Sequence, residues 1–154
     1  MTINVTGITA ALESHAAASG HFERVNGHEP NNPPGNGLTA AVWVDGIRPV
    51  AAVSGLAATS ALVTSMLRIY APALQEPQDA IDPNVLTATD ALLIAYSGDF
   101  TLGGLVKQID LLGQHGTPLG AQAGWLPFPD GGGLYRVMTL TCPLVINDAF
   151  PQSE

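Results

Sequence analysis

Apolar residues recur at helical spacing near the start of the chain, where Ile8, Ala11, Leu12 and His15 fall on one stripe. Thr6 stands ahead of them as an N-cap, Glu13 is turned away from the stripe, and Gly20 is placed to end the helix. His21 to Asn26 reads as a short extended piece. Gly27 to Gly37 holds six Gly or Pro in eleven residues and predicts a loop, because Pro removes backbone donors and Gly loses too much entropy in regular structure. Leu38 to Val44 and Pro49 to Val53 are short β-type runs on either side of the turn-like pair Asp45-Gly46, which makes either a hairpin or one bent strand.

Thr59 to Tyr70 alternates most clearly. Ala61, Val63, Ser65, Leu67 and Ile69 share one face, Leu62, Thr64, Met66, Arg68 and Tyr70 the other, and Pro72 helps to stop the strand. A second helix is predicted where Asp82 caps it, Pro83 takes its first position, and Val85, Leu86, Thr89, Leu92, Leu93 and Tyr96 form its stripe before Gly98. After Thr101 to Gly104 come a strand at Leu105 to Leu112, a turn through Gly113 to Pro118, a strand near Gln122 to Leu126, a turn at Pro127 to Gly133 and a long strand from Leu134 to about Val145. The order α, β, β, β, α, β, β, β, without internal repeats, predicts an α+β fold: a mainly antiparallel or mixed sheet packed with two helices.

The two faces of the last strand are Leu134, Arg136, Met138, Leu140, Cys142, Leu144 and Tyr135, Val137, Thr139, Thr141, Val145. Neither is plainly polar. An antiparallel sheet commonly wets one face, so this pattern predicts helices on one side and another subunit on the other. Composition strengthens the point: 13 acidic and five basic residues make the chain 12% charged, about half the roughly 25% usual for a soluble domain. A surface so poor in charge is one that protein partners cover at small desolvation cost.

The length of 154 residues predicts a single domain over 1–154, with 1–5 and 147–154 as tails, large enough to build a core without disulfides or metal. Cys142 has no partner for an intramolecular disulfide, and Met1 to Ala11 lacks the positive start and apolar run of a signal peptide, which predicts a protein made and kept in cytosol. A net charge of −8, with basic residues only at Arg24, Arg48, Arg68, Lys107 and Arg136, argues against tight nucleic-acid binding. Pro49 to Leu67 is 19 residues without a charge, but Pro, Gly, Ser and Thr at seven of them argue against a membrane span.

Candidate chemistry is sparse. There is no GxSxG elbow, P-loop, GxGxxG or HExxH. His15, His21 and His28 are close in sequence, but spacings that cross Gly20 and Gly27 do not converge them on a metal. Cys142 reads as a small core hydrophobe, Asp79, Asp82, Asp99 and Asp110 as caps, turn residues or solvated strand positions, and Trp43 and Trp125 as core anchors in preference to binding platforms. Neither a catalytic residue nor a cofactor or metal site is expected. Arg68 and Arg136 differ, because each interrupts a mixed apolar strand face; each either snorkels to the sheet rim or pairs with an acid of another subunit.

The ordered segments Asn26-Gly27-His28-Glu29-Pro30, Leu38-Thr39-Ala40-Ala41-Val42-Trp43-Val44, Ser54-Gly55-Leu56-Ala57-Ala58-Thr59-Ser60, Arg68-Ile69-Tyr70 and Asp82 to Tyr96 carry a resemblance that extends from Ile8 to Phe150. In order and segment length the chain resembles tail terminator proteins of long-tailed bacteriophages, especially those of actinobacterial hosts. The resemblance implies an α+β subunit of a hexameric ring on the head-proximal end of the tail tube, at the tail-neck junction of the virion, assembled in the host cytoplasm. Such a subunit halts tube polymerisation and presents a surface to head-completion (stopper) proteins, with the major tail tube protein as its other partner. DNA passes through the lumen, and a net acidic subunit suits that passage. The contact elements placed by shape are the loop Asn31 to Gly37 and the hairpin tip Pro127 to Gly133, which give Asn31, Asn32, Asn36 and Asp130 as candidate assembly contacts; Arg68 and Arg136 join them from their mixed apolar strand faces. Another neck ring protein, a small cytosolic enzyme or ligand-binding domain, and a host interaction module remain as alternatives.

Overall fold

The computed structural model describes residues 3–22, 24–27, 38–50, 58–72, 81–128 and 133–151. Helix α1 spans Val5–Ala18 and buries Ile8, Leu12 and Ala16, an i, i+4, i+8 row. Its cap is Asn4 instead of Thr6: the Asn4 side-chain oxygen accepts the N–H of Gly7 at 3.0 Å, so the helix starts early enough to place Thr6 in its first turn. Gly20, at φ 76°, takes the left-handed conformation that ends the helix. Glu13 is not turned out to solvent. It is half-buried, with its carboxylate against Gly27, where a Cβ would collide with it.

The short extended piece is strand β1, Arg24–Asn26, which runs parallel to the start of β2. The two β-type runs fuse into one strand β2, Thr39–Val50; Asp45 lies in a bulge where the register with the next strand shifts between Val44 and Gly46. The bent-strand alternative is therefore the one observed, and 51–53 lie outside the described residues. Strand β3, Ala58–Pro72, has its core face as expected, with Ala61, Val63, Leu67 and Ile69 buried together.

Helix α2, Ile81–Gly98, begins one residue before Asp82, and it buries Val85, Ala88, Thr89, Leu92 and Tyr96. Leu86, assigned above to its buried stripe, points outward and is 56% exposed. The expected strand at Leu105 to Leu112 does not form. Leu102, Gly103 and Gly104 all take positive φ (48°, 67° and 92°) and coil the chain, leaving only a two-residue strand β4, Gln108–Ile109.

Strand β5, Gly120–Phe128, and strand β6, Gly133–Pro151, complete the sheet. The strand order is β1-β2-β3-β6, with β4 and β5 both lying along the far edge of β6; all pairs but β1–β2 are antiparallel. Residues 147–151, expected as a tail, are strand: Phe150 and Pro151 pair with Thr59 and Ala58. The fold is α+β, as the sequence predicts. Both helices pack on one face of the sheet, where Ile8 and Leu12 of α1, Leu92 and Tyr96 of α2 and Leu67, Leu140 and Leu144 of the strands share one core.

The second face is buried inside this one chain at its two ends and half-buried between them. Ala41, Tyr70, Tyr135 and Val137 cluster at one end with Trp43 and Leu126 beside them, and Val50, Leu62 and Val145 cluster at the other. Arg48 shares a row with Leu62 and Val145, and its Nη2 crosses that row to donate to the carbonyl of His115 at 2.6 Å. The two-sided apolar pattern thus has a cause within the subunit, besides any neighbour.

Candidate assembly interface

Arg68 and Arg136 are each half-buried and each lie over a tryptophan, but on opposite faces of the sheet. The Arg68 guanidinium carbon is 5.3 Å from the ring centre of Trp43, and its Nε donates to Thr139 Oγ1 at 3.0 Å. That of Arg136 is 4.9 Å from the ring centre of Trp125, the residue opposite it on β5. Its Nη1 donates to the Gly124 carbonyl at 3.4 Å. A cation over an indole face is worth about 0.5–1 kcal/mol when exposed and more when dry. A groove of about 340 Å³ runs between Arg68, Gln122, Gly124, Leu126, Val137 and Thr139. Asn31, Asn32, Asn36 and Asp130, with the loop and hairpin tip that carry them, lie outside the described residues.

Several exposed apolar side chains were not singled out by sequence reasoning. Leu112 is 85% exposed, Ile94 65% and Ile47 47%. Trp125, read as a core anchor, is 54% exposed at the sheet edge, whereas Trp43 is half-buried against the second-face cluster. Leu112 rims an apolar recess of about 260 Å³ with Phe100, Ile109 and Leu111. The signal that could have flagged Trp125 is its strand, Gly120–Phe128, which is too short and too rich in Gly and Ala to cover an indole.

Several titratable groups among the described residues are committed to structure. His15 Nε2 and Asp99 Oδ2 lie 2.8 Å apart and join the C-terminal ends of α1 and α2. That bond, with the Gly103 N–H donated to Asp99 Oδ1 at 3.1 Å, holds the Asp99 carboxyl below its usual range. Burial pushes the Tyr96 phenol well up, and its hydroxyl donates to the carbonyl of Leu12. Burial likewise pushes the Cys142 thiol up to about 12, which keeps it an unreactive core group. Asp110 is not a solvated strand position: it is 2% exposed, and its two oxygens accept the N–H groups of Gln114 (2.8 Å) and His115 (2.9 Å), shaping the loop that Arg48 grips. Among the described residues no three His, Cys, Asp or Glu side chains gather as a metal site. No helix among them is long and apolar enough to cross a membrane.

No family model and no curated protein sequence matches the chain. Among solved structures it is similar to the sheath/tube terminator of an extracellular contractile injection system (PVC) in its extended state, at 12% identity and a TM-score of 0.48. That alignment covers all of this chain and 62% of the other, so the chain spans less than two thirds of that protein's length. It is also similar to a chain in the virion of a native gene transfer agent particle, at 12% identity and a TM-score of 0.41, covering 94% of this chain and 98% of that one.

Proposed function

We propose that this chain is a structural virion protein without catalytic activity, a tail terminator that forms a hexameric ring on the head-proximal end of the tail tube. The ring ends tube polymerisation and offers a joining surface to the stopper protein, while DNA passes through its lumen without sequence-specific contact. The observation that carries this reading is the distribution of exposed apolar side chains on a chain with so few charges. They lie along both open edges of the sheet, at Ile47 of β2 and Trp125 of β5, on the outer surface of α2, at Leu86 and Ile94, and on the loop carrying Leu112. A subunit that neighbours touch on several sides is what a ring stacked between tube and neck requires. The ordered segments from Asn26 to Tyr96 support it independently, through their resemblance to tail terminators.

The test is deletion of the gene in its phage. The expected result is filled heads without tails, together with free tubes of excessive or variable length by negative-stain microscopy. Tails of normal length left unattached would assign a joining role at another station of the neck, and normal infectious particles would remove the reading.

A further inference from the structure

Among the described residues, the two open edges of the sheet, β2 beyond Ala41 and β5, are defended differently. Strand β2 carries a bulge at Asp45, a charge at Arg48 and a proline at Pro49, which restrict the partner and the register it can accept. Strand β5 has no charged residue and no bulge along Gly120–Phe128, and its one such restriction is Pro127 near the end. Among the described residues nothing pairs with the outer edge of β5, nor with β2 beyond the Ala41 pair with β1. An uncharged edge of nine residues without a bulge is a template for another strand.

We propose that this edge receives β2 of a second copy of the chain, antiparallel, with Ala123 opposite Ile47 of the next copy and Trp125 opposite its Asp45 bulge. The inference rests on the ring reading above and names the surface that closes the ring. Strand polarity favours it, since β2, β3, β6 and β5 alternate in direction and the next β2 continues the alternation. Facing favours it too. Ile47 pairs with core-facing Val63, and Trp125 and Ala123 pair with Arg136 and Met138, so all project on the helix side of the sheet. The half-exposed Trp125 and Ile47 then become diagonal neighbours and cover one another. The pairing also brings Arg136, which lies over the Trp125 ring, to the same end of the contact as Asp45 of the next copy, a cation near an anion. Arg48 falls opposite Gln122, and Pro49, opposite Ala121, adds no ladder donor.

The geometry of closure agrees. Ile47, Val63, Leu144 and Ile109 form one row across the sheet, and Ala123 pairs with Met138, so the neighbour is displaced along the strands by about six residues, roughly 20 Å. Each copy advances the sheet by four strand spacings, roughly 19 Å. A slide of that size tilts the strands by about 45°, next to the 35–45° at which closed sheets settle.

Cysteine pairs test the register, because Cα atoms opposed across antiparallel strands stand about 4.5–5.5 Å apart, within disulfide range. Oxidised at high protein concentration, the double variant Ala123→Cys/Ile47→Cys is expected to give a ladder of covalent multimers. An equimolar mixture of the two single variants is expected to stop at dimers, and each single variant alone to stay monomeric on a denaturing gel. A dimer from Ala123→Cys alone would replace this pairing with a two-fold β5–β5 contact, and absence of the ladder would overturn the proposal. A ladder from a protein whose gene deletion leaves tails and infectivity normal would keep the pairing and remove only the terminator reading.

Discussion

The hydroxyl of Tyr96 donates to the main-chain carbonyl of Leu12 at 3.0 Å, fastening the last turn of α2 to the middle of α1 beneath the His15–Asp99 pair. The His15 ring meets the Tyr96 ring edge-on at 5.6 Å between centroids, so one clasp holds both helices to each other as well as to the sheet. Tyr96→Phe keeps the ring packing and removes only the hydrogen bond. The expected loss is about 0.5–1.5 kcal/mol in urea unfolding, against about 3–5 kcal/mol for Tyr96→Ala, which also opens a cavity in the core.

The same clasp sets a limb of the stability profile at acid pH. The Asp99 carboxyl sits below its ordinary value of 3.8 in the folded chain, so the folded state takes up that proton less readily than the unfolded one. Its contribution is therefore present above 3.8 and is lost as pH falls through the folded value. His15 and Asp99 side chains are 27% and 37% exposed, and solvent screening keeps the effect small. Melting temperatures of the natural chain and Asp99→Asn are expected to differ near neutral pH and to converge as the solution is taken below the ordinary carboxylate range. A constant offset down to the acid limit would assign the effect to packing instead.

A different balance operates at the turn after α2, where Leu102 holds φ 48° while 2% exposed. Leu102→Gly relieves a left-handed backbone cost of about 1–2 kcal/mol but deletes a buried side chain worth about 2–5 kcal/mol, so a net loss is expected. Gly103→Ala isolates the backbone term, because an added Cβ there meets no atom within 4 Å while φ is 67°. Its expected cost by the same unfolding measurement is about 1–2 kcal/mol.

These local forces explain what could be read from residue pattern and what could not. Residues of β3 divide between a core face and a mixed face over many positions, and β6 is a long run rich in apolar and β-branched side chains, so both strands are marked by residues of their own. Asp45-Gly46 has the composition of both a hairpin turn and a bulge, and only the partner strand decides between them. The run Leu105 to Leu112 is apolar enough for a strand, yet the positive φ values before it and the Asp110 carboxylate, which captures two N–H groups ahead, give its backbone other partners. The placement of Arg68 and Arg136 on mixed apolar faces is legible in the alternation; their tryptophan neighbours sit on other strands and depend on register. Exposure of Trp125 follows from β5 being an outer strand, a property of topology that periodicity does not carry.

Charge reversal tests the assembly contact through its electrostatics, independently of the cysteine chemistry. Under the pairing proposed above, Arg136→Glu sets a carboxylate near Asp45 of the next copy beside the Trp125 ring. Like charges brought together at an interface are expected to weaken self-association by about 2 kcal/mol or more, roughly thirtyfold. Asp90→Lys, on the exposed surface of α2, is the control and is expected to change it by less than about fivefold. Both the direction and the partner are at stake, so the decisive sample is the exchanged pair Arg136→Glu/Asp45→Arg, which restores opposite charges with their places swapped. Sedimentation equilibrium on the four proteins should show Arg136→Glu weakest and the exchanged pair recovering most of the loss. If the exchanged pair is instead weaker than Arg136→Glu alone, the two residues do not meet across the interface, and Arg136 acts through its own Trp125 and Gly124 contacts.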